Sequence, residues 1–93
     1  MKLVWAPKAL ADRLNILEFI AADNPRAALG MDDLFRRAAE GLLDFPQQGR
    51  PGSIAGTREL IPHEHYRLIY EIQSEEIREL ALISTWRQWP PVS

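Results

Sequence analysis

The chain of 93 residues contains no cysteine, which excludes disulfide bridges and thiolate chemistry. It also lacks a long apolar run, because the N-terminus (MKLVWAPKAL) soon meets proline and charged residues. That pattern is neither the core of a signal peptide nor a membrane-length segment. We therefore expect a soluble, cytoplasmic protein that makes no membrane contact.

An excess of charge of one sign is missing as well. Thirteen acidic residues stand against eleven basic ones, and the formal net charge is −2. Proteins that bind nucleic acids usually present a clear basic surplus, which exchanges with the counterions around phosphate. Nucleic-acid binding by this chain would therefore require a local basic patch.

Gly/Ser tracts, long blocks of like charge and internal repeats are absent too, so nothing indicates a linker or a solenoid. The hydrophobic content of 46% is enough for one compact core in a chain of this length. We expect a single domain over residues 1–93.

The first half predicts a short strand and two helices. Residues 2–5 (KLVW) are apolar, and Pro7 suits the first turn of a helix. Apolar residues then recur at i, i+4, i+7 and i+11, at Leu10, Leu14, Leu17 and Ala21. Such a stripe is core-facing by default. Asn24 followed by Pro25 predicts the cap and first position of a second helix, and therefore a helical hairpin.

The second helix continues the apolar period as far as residue 42, through Ala28, Met31, Leu34 or Phe35, Ala38 and Leu42. Phe45-Pro46 ends it, and residues 47–56 form a loop. Strands are predicted at 58–61, with Pro62 as an interruption or edge position, and at 66–72 and 77–84. The order βααβββ indicates an α+β fold, with the helical hairpin on one face of a small antiparallel-rich sheet.

Arg67 is the unusual residue of the strand YRLIYEI. Its neighbours alternate as in a half-buried strand, and an unpaired charge in a strand interior is costly. The arginine must therefore face solvent, meet a carboxylate such as Glu59 or Glu79, or serve a binding site.

Three motifs resemble the RelE/ParE superfamily of bacterial toxins, and the match is closest to its ParE branch. They are FPQQGRPG (45–52), RELIPHEHYRLIY (58–70) and RQWP (87–90). The resemblance extends from about Val4 to Pro90, and the order and spacing of the motifs carry it.

The resemblance implies a toxin of a type II toxin–antitoxin, or plasmid-stabilisation, system that uses no cofactor. A cognate antitoxin would neutralise it, and the two proteins can form a higher-order complex. An amphipathic antitoxin helix would fit a groove along the hairpin. The residues expected in that groove are Leu10, Leu14, Met31 and Phe35.

The superfamily divides by target: RelE-like members cut messenger RNA on the ribosome, whereas ParE-like members poison DNA gyrase. Its nucleases often place a His or Tyr near the C-terminus as acid or base, but no His or Tyr follows Tyr70 here. Ser84 stands where many ParE-like sequences have histidine. We therefore expect a gyrase inhibitor that catalyses no reaction itself.

Two alternatives stay open. A ribosome-dependent messenger RNA endonuclease would use Arg67 for charge stabilisation, with His65, Glu64 and Arg87 as further candidates. An attenuated, non-toxic homologue would only bind the antitoxin.

The target- or partner-binding residues should lie on the sheet face that the helices leave uncovered. We expect four arginines to converge there near the glycine-rich loop, with two tryptophans as packing residues or exposed anchors. These residues are Arg50, Arg58, Arg67, Arg87, Trp86 and Trp89. The pair His63 and His65 lacks a nearby third ligand, so we predict no metal site.

Overall fold

The computed structural model describes residues 1–91, so the last two residues of the predicted domain lie outside the described part. The elements in chain order are β1 (Lys2–Trp5), α1 (Pro7–Asp23), α2 (Pro25–Gly41), β2 (Arg50–Pro51), β3 (Thr57–His63), β4 (Tyr66–Gln73) and β5 (Glu76–Ser84). The predicted α+β fold is confirmed, with one short strand added.

The sheet has five strands in the order β1-β5-β4-β3-β2. β1 pairs with β5 in parallel, and the other neighbours are antiparallel. The addition is β2, two residues inside the predicted loop that pair with Arg58 and Glu59. A pairing this short has no alternating pattern from which it could be predicted. At Pro62 the strand continues, but its register with β4 shifts between Leu60 and His63.

The helix boundaries follow the predicted signals. Pro7 lies in the first turn of α1, and the Asn24 side chain caps α2 by accepting a hydrogen bond from the Ala27 N–H at 3.1 Å. Within residues 1–91, neither helix combines the length and hydropathy needed to cross a membrane.

The main core lies between the hairpin and the sheet. Phe35 and Ala39 of α2 pack against Leu68 and Leu82 of the central strands. A second cluster joins Leu42, Tyr70 and Ile77 near the C-terminal end of α2. The core is therefore formed by α2 and the two central strands.

The stripe of α1 faces the core differently from the sequence expectation. Leu10 and Leu14 are about half exposed, whereas Ala9 is fully buried and Ile16 packs against the core. The buried stripe runs through Arg13, whose guanidinium carbon lies 4.7 Å from the centre of the Trp5 ring. Its Nη2 also lies 2.6 Å from Asp32 Oδ1, which compensates the charge. Because Arg13 is charged, a search for regularly spaced hydrophobic residues along α1 does not identify this stripe.

Tyr70 fixes the loop after α2 to the sheet. Its hydroxyl donates a hydrogen bond to the Pro46 carbonyl at 2.7 Å and accepts one from the Gly49 N–H at 3.0 Å. The backbone of Gly49 packs so closely that a Cβ there would lie 2.8 Å from the Glu59 carbonyl and from the Tyr70 ring. Only glycine permits this approach.

Gly49→Ala should therefore destabilise the fold by about 1–3 kcal/mol, because the added methyl overpacks a rigid contact. The matched control is Gly30→Ala in α2, where a Cβ meets nothing within 4 Å. This control should stabilise the chain by up to about 1 kcal/mol through helix propensity. Urea unfolding of both variants measures the difference; equal stabilities would contradict the close packing at Gly49.

Glu79 is a fully buried carboxyl on the helix side of the sheet, in register with Tyr70. Neither of its side-chain oxygens has a hydrogen-bond partner among the described residues. Burial raises the pKa of Glu79 to about 8, from an ordinary value of 4.5. The folded chain therefore favours the protonated acid.

The raised pKa of Glu79 predicts that stability falls as the pH rises. The contribution of the protonated Glu79 side chain to the free energy of unfolding is complete below pH 4.5. This contribution is lost as the pH approaches about 8. Glu79→Gln keeps the side chain neutral and should flatten this slope, whereas Glu75→Gln at an exposed turn position should leave it unchanged. Urea unfolding between pH 5 and 9 tests this, and an unchanged slope in Glu79→Gln would refute it.

Candidate functional site

The sheet face turned away from the helices, called here the far face, has an apolar half and a charged half. Ile69, Ala81 and Ile83 form the apolar half, and Trp89 packs on them. The register places Glu59 beside Ile69 and Arg67 beside Ile83 on the same face. Charged and apolar side chains thus meet along β4.

Glu59 is the centre of the charged half, with only 4% of its surface exposed. Its Oε1 lies 3.4 Å from Arg67 Nη1 and 3.7 Å from Arg50 Nη2. Its Oε2 accepts a hydrogen bond from the Ser53 N–H at 3.2 Å. One carboxylate therefore faces two arginines and fastens the glycine-rich loop to the sheet.

Arg67 meets a carboxylate, which is one of the alternatives that the sequence left open. The partner is Glu59, and the other candidate, Glu79, lies on the opposite face. Its Nη2 also donates a hydrogen bond to the Arg87 carbonyl, while its Nε is buried without a partner among the described residues. The charge is thus compensated inside the chain.

Residues 85–91, called here the strap, fold back over the far face. The Thr85 N–H donates to the His65 carbonyl at 2.9 Å, and the Thr85 hydroxyl donates to the Glu64 carbonyl at 2.8 Å. Farther along, Trp89 covers the apolar half, with Lys8 Nζ 5.8 Å from its ring centre. The strap covers the apolar half of the face that sequence analysis assigned to recognition.

The two tryptophans of the strap differ. Trp89 is a packing residue, whereas Trp86 is 73% exposed, with its ring centre 5.6 Å from that of His65. Of the two, Trp86 is therefore the exposed tryptophan.

The expected convergence of four arginines is incomplete. Arg50 and Arg67 share Glu59 on the far face. Arg58 is in register with Tyr70 on the helix side, where its Nη1 donates to the Gly49 carbonyl at 2.6 Å. The prediction that Arg58 lies on the far face is wrong, because alternation along β3 points it to the helix side.

Arg87 reaches the far face with its backbone carbonyl only. Arg87 also lines a pocket of about 510 Å³ at the end of β5, together with Asn15, Phe19 and Trp86. The guanidinium makes no ion pair within residues 1–91. It faces this pocket rather than the Glu59 cluster.

The histidines lie at the β3–β4 turn. His63 Nδ1 accepts a hydrogen bond from the His65 N–H at 3.1 Å, and His65 Nε2 lies 3.7 Å from Glu64. In the described part of the chain, no three His, Asp or Glu residues cluster closely enough to hold a metal ion.

A shallow apolar groove of about 420 Å³ runs along the outer side of the hairpin. Its lining residues are Leu14, Leu17, Glu18, Ala21, Pro25, Ala28, Leu29 and Asp32. Leu10 is exposed one turn before Leu14, whereas Met31 is half-buried and packs against the core. Phe35 is fully buried, so its expected place in a surface groove is wrong.

Two contributors to these surfaces were missed in the sequence. Leu29 lines the groove and is 73% exposed. It could have been identified in the sequence as an apolar residue that lies off the main apolar stripe of its helix. The second residue is Asp12, whose carboxylate accepts a hydrogen bond from the Leu82 N–H at 3.0 Å. Leu82 lies in the part of β5 that extends beyond its pairing with β1. That contact joins residues 70 positions apart and leaves no local pattern.

Comparison with known sequences places this arrangement among bacterial toxins. Residues 3–89 match the model of the ParE toxin of the type II toxin–antitoxin system parDE. Y4kP, a candidate toxin of Sinorhizobium fredii, is 33% identical over 92 residues, which cover 98% of this chain and 95% of Y4kP. RelE2, a toxin of Caulobacter vibrioides, is 34% identical over 71 residues, which cover 76% of this chain and 80% of RelE2.

Solved structures agree with this placement. A chain of the chromosomal ParDE system from P. aeruginosa superposes with a TM-score of 0.81 at 25% identity, over 90% of this chain and 95% of that one. A YoeB/ParE toxin from Agrobacterium tumefaciens shares the fold, with a TM-score of 0.65 at 18% identity over 92% of this chain and all of the other.

Proposed function

Because the chain belongs to the ParE toxin family of type II toxin–antitoxin systems, we propose that a cognate antitoxin neutralises it through the hairpin groove and that its target is DNA gyrase. The two halves of this proposal rest on different surfaces. The groove supports the antitoxin, and the far face supports the choice of target.

The hairpin groove has the shape and chemistry for an amphipathic helix. Leu14, Leu17 and Leu29 provide an apolar floor beside the acidic residues Glu18 and Asp32, and the Asp32 carboxylate is already paired with Arg13. Helices that bind grooves lay their apolar stripe on such a floor and pair charges at the rim. Basic residues are therefore expected beside the apolar stripe of the antitoxin helix.

Leu14→Glu and Leu29→Glu should each weaken antitoxin binding by at least about tenfold, because a carboxylate replaces apolar contact in the groove. In the free toxin Leu14 is about half exposed and Leu29 is 73% exposed, so its stability should change little. Phe45→Glu is the matched control, since Phe45 is also exposed but follows the far end of α2. Calorimetric titration with the antitoxin measures the effect; equal affinities in all three variants would exclude the groove.

One observation carries the choice of target: the Arg67 charge is already compensated by Glu59. Cleavage of RNA needs a base, an acid and a free cation for the developing phosphorane. On the far face Arg67 is already paired with Glu59, and no histidine or tyrosine follows Tyr70 in the sequence. This supports an inhibitor that binds gyrase rather than a nuclease.

The endonuclease alternative has two observations in its favour. His65, Glu64 and Trp86 lie together at the end of the sheet where β4 begins, close in sequence to Arg67. The match to RelE2 also extends over most of the chain. An attenuated homologue would keep the hairpin groove and lose both activities.

The deciding experiment is a gyrase supercoiling and cleavage-complex assay, run beside ribosome-dependent cleavage of messenger RNA with one toxin preparation. We expect gyrase inhibition with intact message. Cleaved message with unaffected gyrase would overturn the proposal and point to His65 or Glu64 as the base. Inactivity in both assays, with antitoxin binding retained, would indicate the attenuated homologue.

A further inference from the structure

We propose that the far face contains a binding site for an oxyanion of the phosphate or carboxylate class, and that the chain fills this site with its own Glu59 carboxylate. This inference concerns one cluster of side chains. It does not depend on whether gyrase or messenger RNA is the target.

The donors around Glu59 are those of an anion site. They comprise a backbone N–H and a hydroxyl of Ser53, at 3.2 and 3.5 Å from Oε2, and two guanidinium groups near Oε1. Arg67 Nη1 lies 3.4 Å and Arg50 Nη2 lies 3.7 Å from Oε1. Guanidinium groups combined with loop N–H groups are the usual means of holding phosphate and carboxylate oxygens in proteins.

The donors also exceed what one carboxylate can use. Two positive charges face a single negative one, and Arg67 Nε is buried without a partner among the described residues. Both arginine contacts are longer than the roughly 2.7–2.9 Å of a close charge-assisted bond. The Glu59 carboxylate thus occupies the site without saturating it.

The site opens to solvent on the side of Arg50. The Arg50 side chain is 65% exposed, whereas those of Glu59 and Arg67 are 3% and 14% exposed. An external anion can therefore approach past Arg50, but it meets the carboxylate at the centre and is repelled. The Glu59 side chain therefore controls whether the far face can bind any external anion, whether a phosphate or a carboxylate.

Glu59→Gln tests the inference, because it removes the negative charge and nearly keeps the shape. Inorganic phosphate, titrated at constant ionic strength and followed by NMR shifts of the Ser53 and Arg67 amides, should bind at least about tenfold more tightly to this variant than to the wild-type chain. Glu75→Gln makes the same change in net charge at an exposed turn position and should bind like the wild type. A parallel titration with acetate distinguishes a phosphate site from a carboxylate site.

The double variant Glu59→Gln/Arg67→Ala should lose the gained affinity. The inference would be overturned if Glu59→Gln and Glu75→Gln bound phosphate equally tightly and also bound acetate equally tightly. It would also be overturned if the double variant kept the increased anion affinity without Arg67. If Glu59→Gln unfolds in chloride buffer, added phosphate should restore its folded circular dichroism spectrum. A variant that stays unfolded in phosphate would also overturn the inference, because a filled site should replace the lost carboxylate.

Discussion

The two central strands, β4 and β5, carry apolar side chains on both faces, and covering both faces is the constraint on which the rest of the structure depends. The hairpin covers Leu68 and Leu82 on one face. On the other face, Ile69 and Ala81 would lie open without the strap, and Trp89 covers them. Within residues 1–91 the hairpin is the one helical layer, and the strap covers the second face.

This arrangement brings charges into partly dry surroundings, where each needs a partner. Arg13 is placed between Trp5 and Asp32, and Arg67 between Glu59 and the Arg87 carbonyl. Glu79 has no such partner within residues 1–91 and instead favours its neutral form. The buried ionisable side chains are therefore stabilised in two ways: Arg13 and Arg67 by ion pairs, and Glu79 by protonation.

The two proposed surfaces differ in what they expose. The hairpin groove is apolar and open to solvent. The far face is covered by its own strap and carries a cation that is already compensated. The chain therefore satisfies the Arg67 charge itself on the far face, whereas it leaves the apolar side chains of the groove uncovered.

The sequence by itself determined every element except the two-residue strand β2, together with the order of the elements and the family. Capping residues, the helical period and strand alternation are local signals, and the three motifs span most of the chain. Only the tertiary structure decided that Glu59 pairs with Arg67, that Arg58 lies on the other face, and that Leu10 and Leu14 are exposed while Phe35 is buried. The physical reason is that local patterns assign residues to faces, whereas burial and charge pairing depend on contacts between segments far apart in the chain.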